Sequence, residues 1–90
     1  SEKLTTTFPK SSSFPAKTSS YAPLIQKLTK AKIIELTITR PTYLSNTLFE
    51  KRLAAFKSAL KVKGINAYRL NLKTAKLPID QLLIEAKYQN

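Results

Sequence analysis

The sequence predicts a small α/β domain, with α+β as the alternative, preceded by an extended basic arm. Two short segments alternate apolar and polar residues, as strands do, and a helical period runs between them. The first twenty residues show no period at all. A chain of 90 residues suits one domain. We therefore expect an arm at 1–20 and a βαβα domain at 21–90.

Residues 1–20 are rich in Ser, Thr and Pro, which account for twelve of the twenty positions. Such a segment buries too little apolar surface to offset the entropy of ordering it, so the arm should be disordered alone. Phe8 and Phe14 interrupt it, each followed by proline. Two interpretations stay open: an arm that orders along RNA, or a linker or leftover targeting sequence.

Residues 21–31 predict a short helix, with Ser20 as its cap and Pro23 in its first turn. Residues 32–40 predict the clearest strand. Ile34, Leu36 and Ile38 alternate there with polar residues, and Pro41 should end the strand.

Residues 47–63 predict the clearest helix. Thr47 and Glu50 fit a capping box, and Gly64 stands where a left-handed C-cap is needed. One narrow apolar stripe recurs at helical spacing, formed by Phe49, Leu53, Phe56 and Leu60.

Residues 65–73 predict a second strand, with one face formed by Tyr68, Leu70 and Leu72. Residues 78–88 then predict a final helix, because Pro78 suits its first turn and apolar residues follow at Ile79, Leu82, Leu83 and Ala86. The strand–helix–strand piece has the length of a crossover between parallel strands, although antiparallel pairing also fits. Two strands are too few for a stable sheet, so either the arm contains a further strand or a partner covers the sheet.

Charge carries the strongest functional signal. Sixteen Lys and Arg face five Asp and Glu, a formal net charge of +11, and thirteen of the sixteen cations are Lys. Such a field attracts polyanions, and Lys favours neutralisation of phosphates over readout of base edges. A small globule with a basic arm is typical of ribosomal proteins. We therefore expect a non-enzymatic, RNA-binding structural subunit of a ribosome.

The residue types that are missing exclude much chemistry. The chain contains no His and no Cys, and Gly64 is its one glycine. The common nucleophilic triads, ordinary zinc sites and glycine-rich phosphate loops therefore have no residues to build them. We expect no catalytic residues, no metal and no cofactor.

The candidate phosphate contacts are the cations of the 47–63 helix, of the second predicted strand and of the arm, together with Arg40 at the end of the first predicted strand and Lys76 just after the second. They are Lys10, Lys17, Arg40, Lys51, Arg52, Lys57, Lys61, Lys63, Arg69, Lys73 and Lys76. Asn71 lies among them on the strand. Three aromatic residues are candidates for stacking on bases, namely Phe8, Phe14 and Tyr43, with ordinary packing as the alternative.

Expected partners are ribosomal RNA and neighbouring proteins of a large assembly, with no small-molecule substrate and no transmembrane segment. Two alternatives remain: a DNA-binding nucleoid protein, and an accessory subunit of a protein complex. The frequent Lys, Ile, Asn and Tyr resemble AT-rich coding, which favours a mitochondrial matrix location slightly over the cytoplasm.

Overall fold

Residues 2–15, 21–66 and 69–89 are described by the computed structural model. They form six elements: β1 (Glu2–Thr7), α1 (Ala22–Leu28), β2 (Ile33–Pro41), α2 (Asn46–Val62), β3 (Arg69–Ala75) and β4 (Gln81–Gln89). The four strands make one sheet in the order β1-β4-β2-β3. The mixed α and β content agrees with the predicted class. The predicted two-stranded sheet is wrong, because β1 and β4 complete it.

The pairing of β2 with β3 is parallel, one of the two arrangements that the sequence left open. β4 lies antiparallel to both β2 and β1. In β2, Leu36 and Ile38 are buried on one face, whereas Thr37 is half-buried on the other. Leu36 shares a cavity lining with Phe56 of α2, so the buried face is the one beneath the helices. Among the described residues, no helix lies on the opposite face.

β1 corrects the expectation that the whole of 1–20 is a disordered arm. It pairs antiparallel with β4 along its full length. Thr6 is buried and Leu4 half-buried on the helix side of the sheet, and the next residue in that alternation, Phe8, is 3% exposed. The backbone N–H of Phe8 donates to the carbonyl of Asp80 at 2.8 Å. Period-two burial and ladder hydrogen bonds thus hold this segment, despite its Ser, Thr and Pro content.

α1 is shorter than the predicted 21–31. Pro23 occupies its first turn, and no side chain caps it; the predicted cap, Ser20, lies outside the described residues. Leu24 and Leu28 are its buried residues. They are four positions apart, so they lie on one side of the helix and pack into the common core.

α2 begins one residue before the predicted bound, and its N-cap lies two residues before the predicted cap. Ser45, not Thr47, is the N-cap, and its hydroxyl accepts a hydrogen bond from the backbone N–H of Leu48 at 3.2 Å. Leu44 before the cap and Phe49 in the first turn are both buried. These are the two positions of a hydrophobic staple, which explains why Ser45 is the N-cap of this helix.

The end of α2 agrees with the prediction. Gly64 has φ +70° and directs its N–H to the carbonyl of Lys61, while Ile65 directs its N–H to the carbonyl of Leu60. This pair of bonds is a Schellman motif, and both apolar residues that flank it, Leu60 and Ile65, are buried.

The predicted final helix at 78–88 is wrong, because β4 occupies this segment. Leu82, Ile84 and Ala86 are buried at spacing two, and they oppose Thr6, Leu4 and Glu2 across the ladder. The spacing of Leu82, Leu83 and Ala86 also fits a helix. The edge of β2 that β3 does not occupy, however, pairs with residues 81–89 and makes them a strand. β4 thereby becomes a central strand of the sheet.

Tyr21 joins α1 to α2 within the core. Its ring lies 5.0 Å from that of Phe56, centroid to centroid. Burial raises the pKa of the Tyr21 hydroxyl to about 12, although the positive charge of Arg52 partly opposes the shift. This hydroxyl has no hydrogen-bond partner among the described residues.

Candidate nucleic-acid interface

The carboxylates of the protein are largely engaged by other side chains. Glu2 and Lys27 lie 2.6 Å apart, oxygen to nitrogen. Their hydrogen bond lowers the pKa of Glu2 and raises the pKa of Lys27. In three further contacts, Glu85 pairs with Lys3 at 3.8 Å, Asp80 with Arg52 at 3.4 Å, and Glu35 accepts a hydrogen bond from Asn71 at 2.9 Å. Four of the five acids are therefore already partnered within the fold.

The cations of α2 are predominantly exposed. Lys51, Lys57 and Lys61 are exposed on the helix, and Lys63 is exposed directly after it. At 100° per residue, Lys57 and Lys61 lie on one flank of the helix and Lys51 on its outer side. Lys57 lines a shallow cavity together with Leu70, so this flank borders β3.

The cations of β3 lie on the face of the sheet that the helices leave open. Arg69 and Lys73 are exposed, and Lys76 is exposed just beyond the strand. Arg69 opposes Glu35, and Lys73 opposes Thr39, in the register with β2. Asn71, between the two cations, is half-buried because it donates to Glu35.

Arg40 joins the two groups of cations. Its guanidinium lies 4.8 Å from the centroid of the Phe49 ring. Arg40 and Lys73 line one shallow cavity between α2 and β3, together with Glu50. Cations thus border the β3 edge from both sides, and Glu50 is the one acid in that cavity lining.

Arg52 does not belong to the candidate surface, which corrects its prediction as a phosphate contact. Its side chain is fully buried. Nε donates to the carbonyl of Ser12 at 2.9 Å, Nη2 to a carboxylate oxygen of Asp80 at 3.4 Å, and the guanidinium lies 4.3 Å from the Phe8 ring centroid. Arg52 therefore fastens the segment after β1 to α2.

The aromatic candidates divide in the same way. Phe8 is buried against Arg52, so its prediction as a stacking residue is wrong. Phe14 and Tyr43 are 63% and 72% exposed and stay accessible to a base. Lys10 is exposed as well, whereas Lys17 lies outside the described residues.

Further exposed cations were not among the candidates. Lys30, Lys32 and Lys87 are exposed at the end of the sheet where β2 begins and β4 finishes. The sequence offers no signal for their proximity, because 30–32 and 87 are far apart in the chain and β4 was predicted as a helix.

Other kinds of site find little support in the described parts of the chain. No group of three or more Asp, Glu, His or Cys residues is placed there to hold a metal ion. None of the helices found there combines the length and the apolar character that crossing a membrane requires. No protein-family model, curated protein or solved structure matches this sequence or fold.

Proposed function

We propose that this protein binds structured RNA by neutralising its phosphates, as a non-catalytic subunit of a ribonucleoprotein particle, the ribosome above all. The observation that carries the proposal is the distribution of charge. Four of the five carboxylates are partnered, while six cations are exposed on α2, just after it and on β3: Lys51, Lys57, Lys61, Lys63, Arg69 and Lys73. That concentration of positive charge suits a polyanion.

The same residues favour recognition of the backbone over recognition of sequence. Five of the six are Lys, whose ammonium group acts as a mobile point charge. Arg69 alone offers the planar fork that reads guanine, and one such contact specifies little. We therefore propose that RNA shape decides binding, with Phe14 and Tyr43 available to stack on unpaired bases.

Two of the sequence features that favoured an assembly subunit, the incomplete sheet and the disordered arm, are not found in the described part of the fold. The sheet has four strands, so it needs no partner to complete it, and residues 2–8 pack on the protein itself. The proposal rests on the surface charge alone and is tested there.

The test compares two triple variants with equal loss of charge. Lys57→Gln, Lys61→Gln and Lys63→Gln remove three cations from the candidate interface. The control, Lys3→Gln, Lys27→Gln and Lys87→Gln, removes three cations that lie opposite Glu85, Glu2 and Glu35. Binding to a structured RNA is measured by fluorescence anisotropy from 50 to 300 mM salt.

For six phosphate contacts, the slope of log affinity against log salt should be about −4 to −5, at roughly 0.7–0.9 per phosphate. The interface triple should bring that slope about 2–3 closer to zero, and the control triple should change it little. A wild-type slope near zero, or equal effects of both triples, would refute the proposal.

Two further measurements separate the alternatives. Duplex DNA that competes better than structured RNA at the same salt would favour the nucleoid interpretation. Sedimentation of the tagged protein in extract, with and without nuclease, reports whether RNA holds it in a particle. Retention in a large complex after complete RNA removal would favour a role based on protein contacts.

A further inference from the structure

β3 ends the sheet, and among the described residues no strand pairs with its outer side. The carbonyl of Ala75 accepts a hydrogen bond from the N–H of Thr42 at 3.1 Å, on the side of β2. Backbone groups of alternate strand residues point to opposite edges. Leu70, Leu72 and Thr74 therefore direct their N–H and C=O groups outward, as a row of donors and acceptors.

The two edges of the sheet differ in how well they are covered. On β1, Leu4 is half-buried and Thr6 buried on the helix side. On β3, the corresponding Leu70 and Leu72 are 36% and 51% exposed. The register with β2 runs without interruption from Arg69 to Ala75, so no bulge twists this edge away, and the strand contains no proline. Charged side chains also protect edge strands, and β3 carries Arg69 and Lys73, so a segment that pairs with this edge must match these two cations.

Two shallow cavities open beside this edge on the helix side. One, of about 250 Å³, includes Leu70 and Lys57 in its lining. The other, of about 400 Å³, is mainly polar: Leu72 lies in its lining with Arg40, Glu50 and Lys73. The two cavities lie two residues apart along β3, which is the repeat of side chains on one face of an added strand. Side chains at positions i and i+2 of a docked segment would reach them, and apolar ones would pack on the exposed surfaces of Leu70 and Leu72.

On the other face of β3, Arg69 and Lys73 flank the same edge. A residue of an added strand that points to this face meets a cation. Carboxylates opposite these cations would stabilise the pairing. We infer that the β3 edge binds an extended segment of a partner protein, about six residues long, in which apolar residues alternate with Asp or Glu.

Other occupants fit this edge less well. A second copy of this chain, paired antiparallel about Asn71 of β3, would bring Arg69 and Lys73 of two molecules against each other, which destabilises a sheet. Pairing about Leu72 would place Arg69 opposite Ala75 and leave the cations without carboxylates. An RNA strand offers phosphate acceptors and 2′-hydroxyl donors to this edge, but it leaves the two leucines in water. An acidic-apolar peptide satisfies the donors, the acceptors, the leucines and the cations together.

The probe for this inference is a labelled seven-residue peptide of alternating Glu and Val, added without RNA because Arg69 and Lys73 also belong to the proposed RNA surface. The control peptide has the same composition, but its Glu residues are grouped together. Thr74→Pro removes one outward N–H without touching the β2 ladder, and Thr74→Val keeps that N–H in a side chain of similar size. Leu72→Lys places a charge in the second cavity and serves as an independent variant.

The alternating peptide should bind the wild-type protein and Thr74→Val with equal affinity. It should bind Thr74→Pro about tenfold more weakly, because that variant loses one hydrogen bond and its proline ring packs less well against the peptide. Leu72→Lys should weaken it too. In amide exchange, the N–H groups of Leu70, Leu72 and Thr74 should become protected on addition of peptide. Equal binding of the grouped peptide, protection of these amides by self-association without peptide, or their protection by poly(U) instead would overturn the inference.

Discussion

Replacement of Arg52 by alanine should be among the most destabilising changes to a charged residue of this protein. Arg52 has no exposed side-chain surface, and it connects α2 to Ser12, Asp80 and Phe8. Its neighbour Lys51 is exposed on the same helix. Lys51→Ala removes one positive charge from the same turn without touching the core, so it is the matched control.

The magnitude follows from the contacts. Breaking a buried ion pair costs about 3–5 kcal/mol when one partner is left without compensation. The side chain of Asp80 is 35% exposed and regains water, which puts Arg52→Ala near the lower limit, about 3 kcal/mol. Arg52→Met fills most of the volume but also leaves Asp80 without its partner, so it should cost less than Arg52→Ala and more than the Lys51→Ala control. Lys51→Ala should change stability by no more than about 0.5 kcal/mol.

Urea unfolding followed by circular dichroism measures these differences. With a slope of about 1.5 kcal/mol per molar, Arg52→Ala should lower the midpoint by about 2 M. Trypsin cleavage after the exposed Lys10 should accelerate in the same variant, because the segment after β1 loses its attachment. If Arg52→Ala unfolds within about 1 kcal/mol of the Lys51→Ala control, Arg52 does not hold this segment in the way its contacts indicate.

Two smaller predictions concern the core and the end of α2. Burial raises the pKa of Tyr21 to about 12 in the folded state, against about 10 in the unfolded chain. Above pH 10 the unfolded chain therefore loses the Tyr21 proton first, and the free energy of unfolding falls by about 2–3 kcal/mol in total as the pH rises to 12. Tyr21→Phe should remove that part of the alkaline loss in urea midpoints between pH 9 and 11.5; identical losses in both proteins would contradict it. Gly64→Ala should lower stability by about 1–2 kcal/mol because φ is +70°; no atom would clash with the new Cβ, so the whole cost comes from the backbone conformation. Gly64→Asn should cost less, because Asn tolerates this conformation better. Equal urea midpoints for the two variants would show that backbone conformation is not the cause.

The elements with an unambiguous period could be predicted from the sequence. β2 alternates strictly, and α2 carries a single stripe that ends in glycine, so both appear within one or two residues of the predicted bounds. β4 could not, because its apolar residues satisfy both periods at once. Leu82, Ile84 and Ala86 alternate, while Leu82, Leu83 and Ala86 repeat as in a helix, and only the unpaired edge of β2 decides between them.

β1 and Arg52 show where composition misleads. A run of Ser, Thr and Pro is typical of disorder, yet Leu4, Thr6 and Phe8 alternate and pair with a strand that lies far away in the sequence. Arg52 sits between Phe49 and Phe56 at helical spacing, within the buried sector of α2, which was a signal that it faces the core. The charge of Arg52 predicted an exposed side chain, whereas its position on the helix predicted a buried one.

Part of the candidate interface was nonetheless predictable. The clusters on α2 and β3 adjoin in sequence, and Arg40, Lys57, Lys73 and Leu70 line cavities along one sheet edge. That Arg69 and Lys73 point away from the helices depends on the register with β2, which no local pattern contains. The pairing of the acids is equally non-local, since Glu2 meets Lys27 and Asp80 meets Arg52.

The central position of β4 has a consequence for the order of events during translation. β2 can pair with β3 before β4 is made, but among the described residues β1 and the other edge of β2 pair with residues 81–89, as in the pairs Thr6 with Leu82 and Ile38 with Ile84. Until that strand is synthesised, a nascent chain leaves β1 and one edge of β2 without partners. Folding should therefore be late and cooperative, and newly made chains should depend on chaperones until β4 arrives.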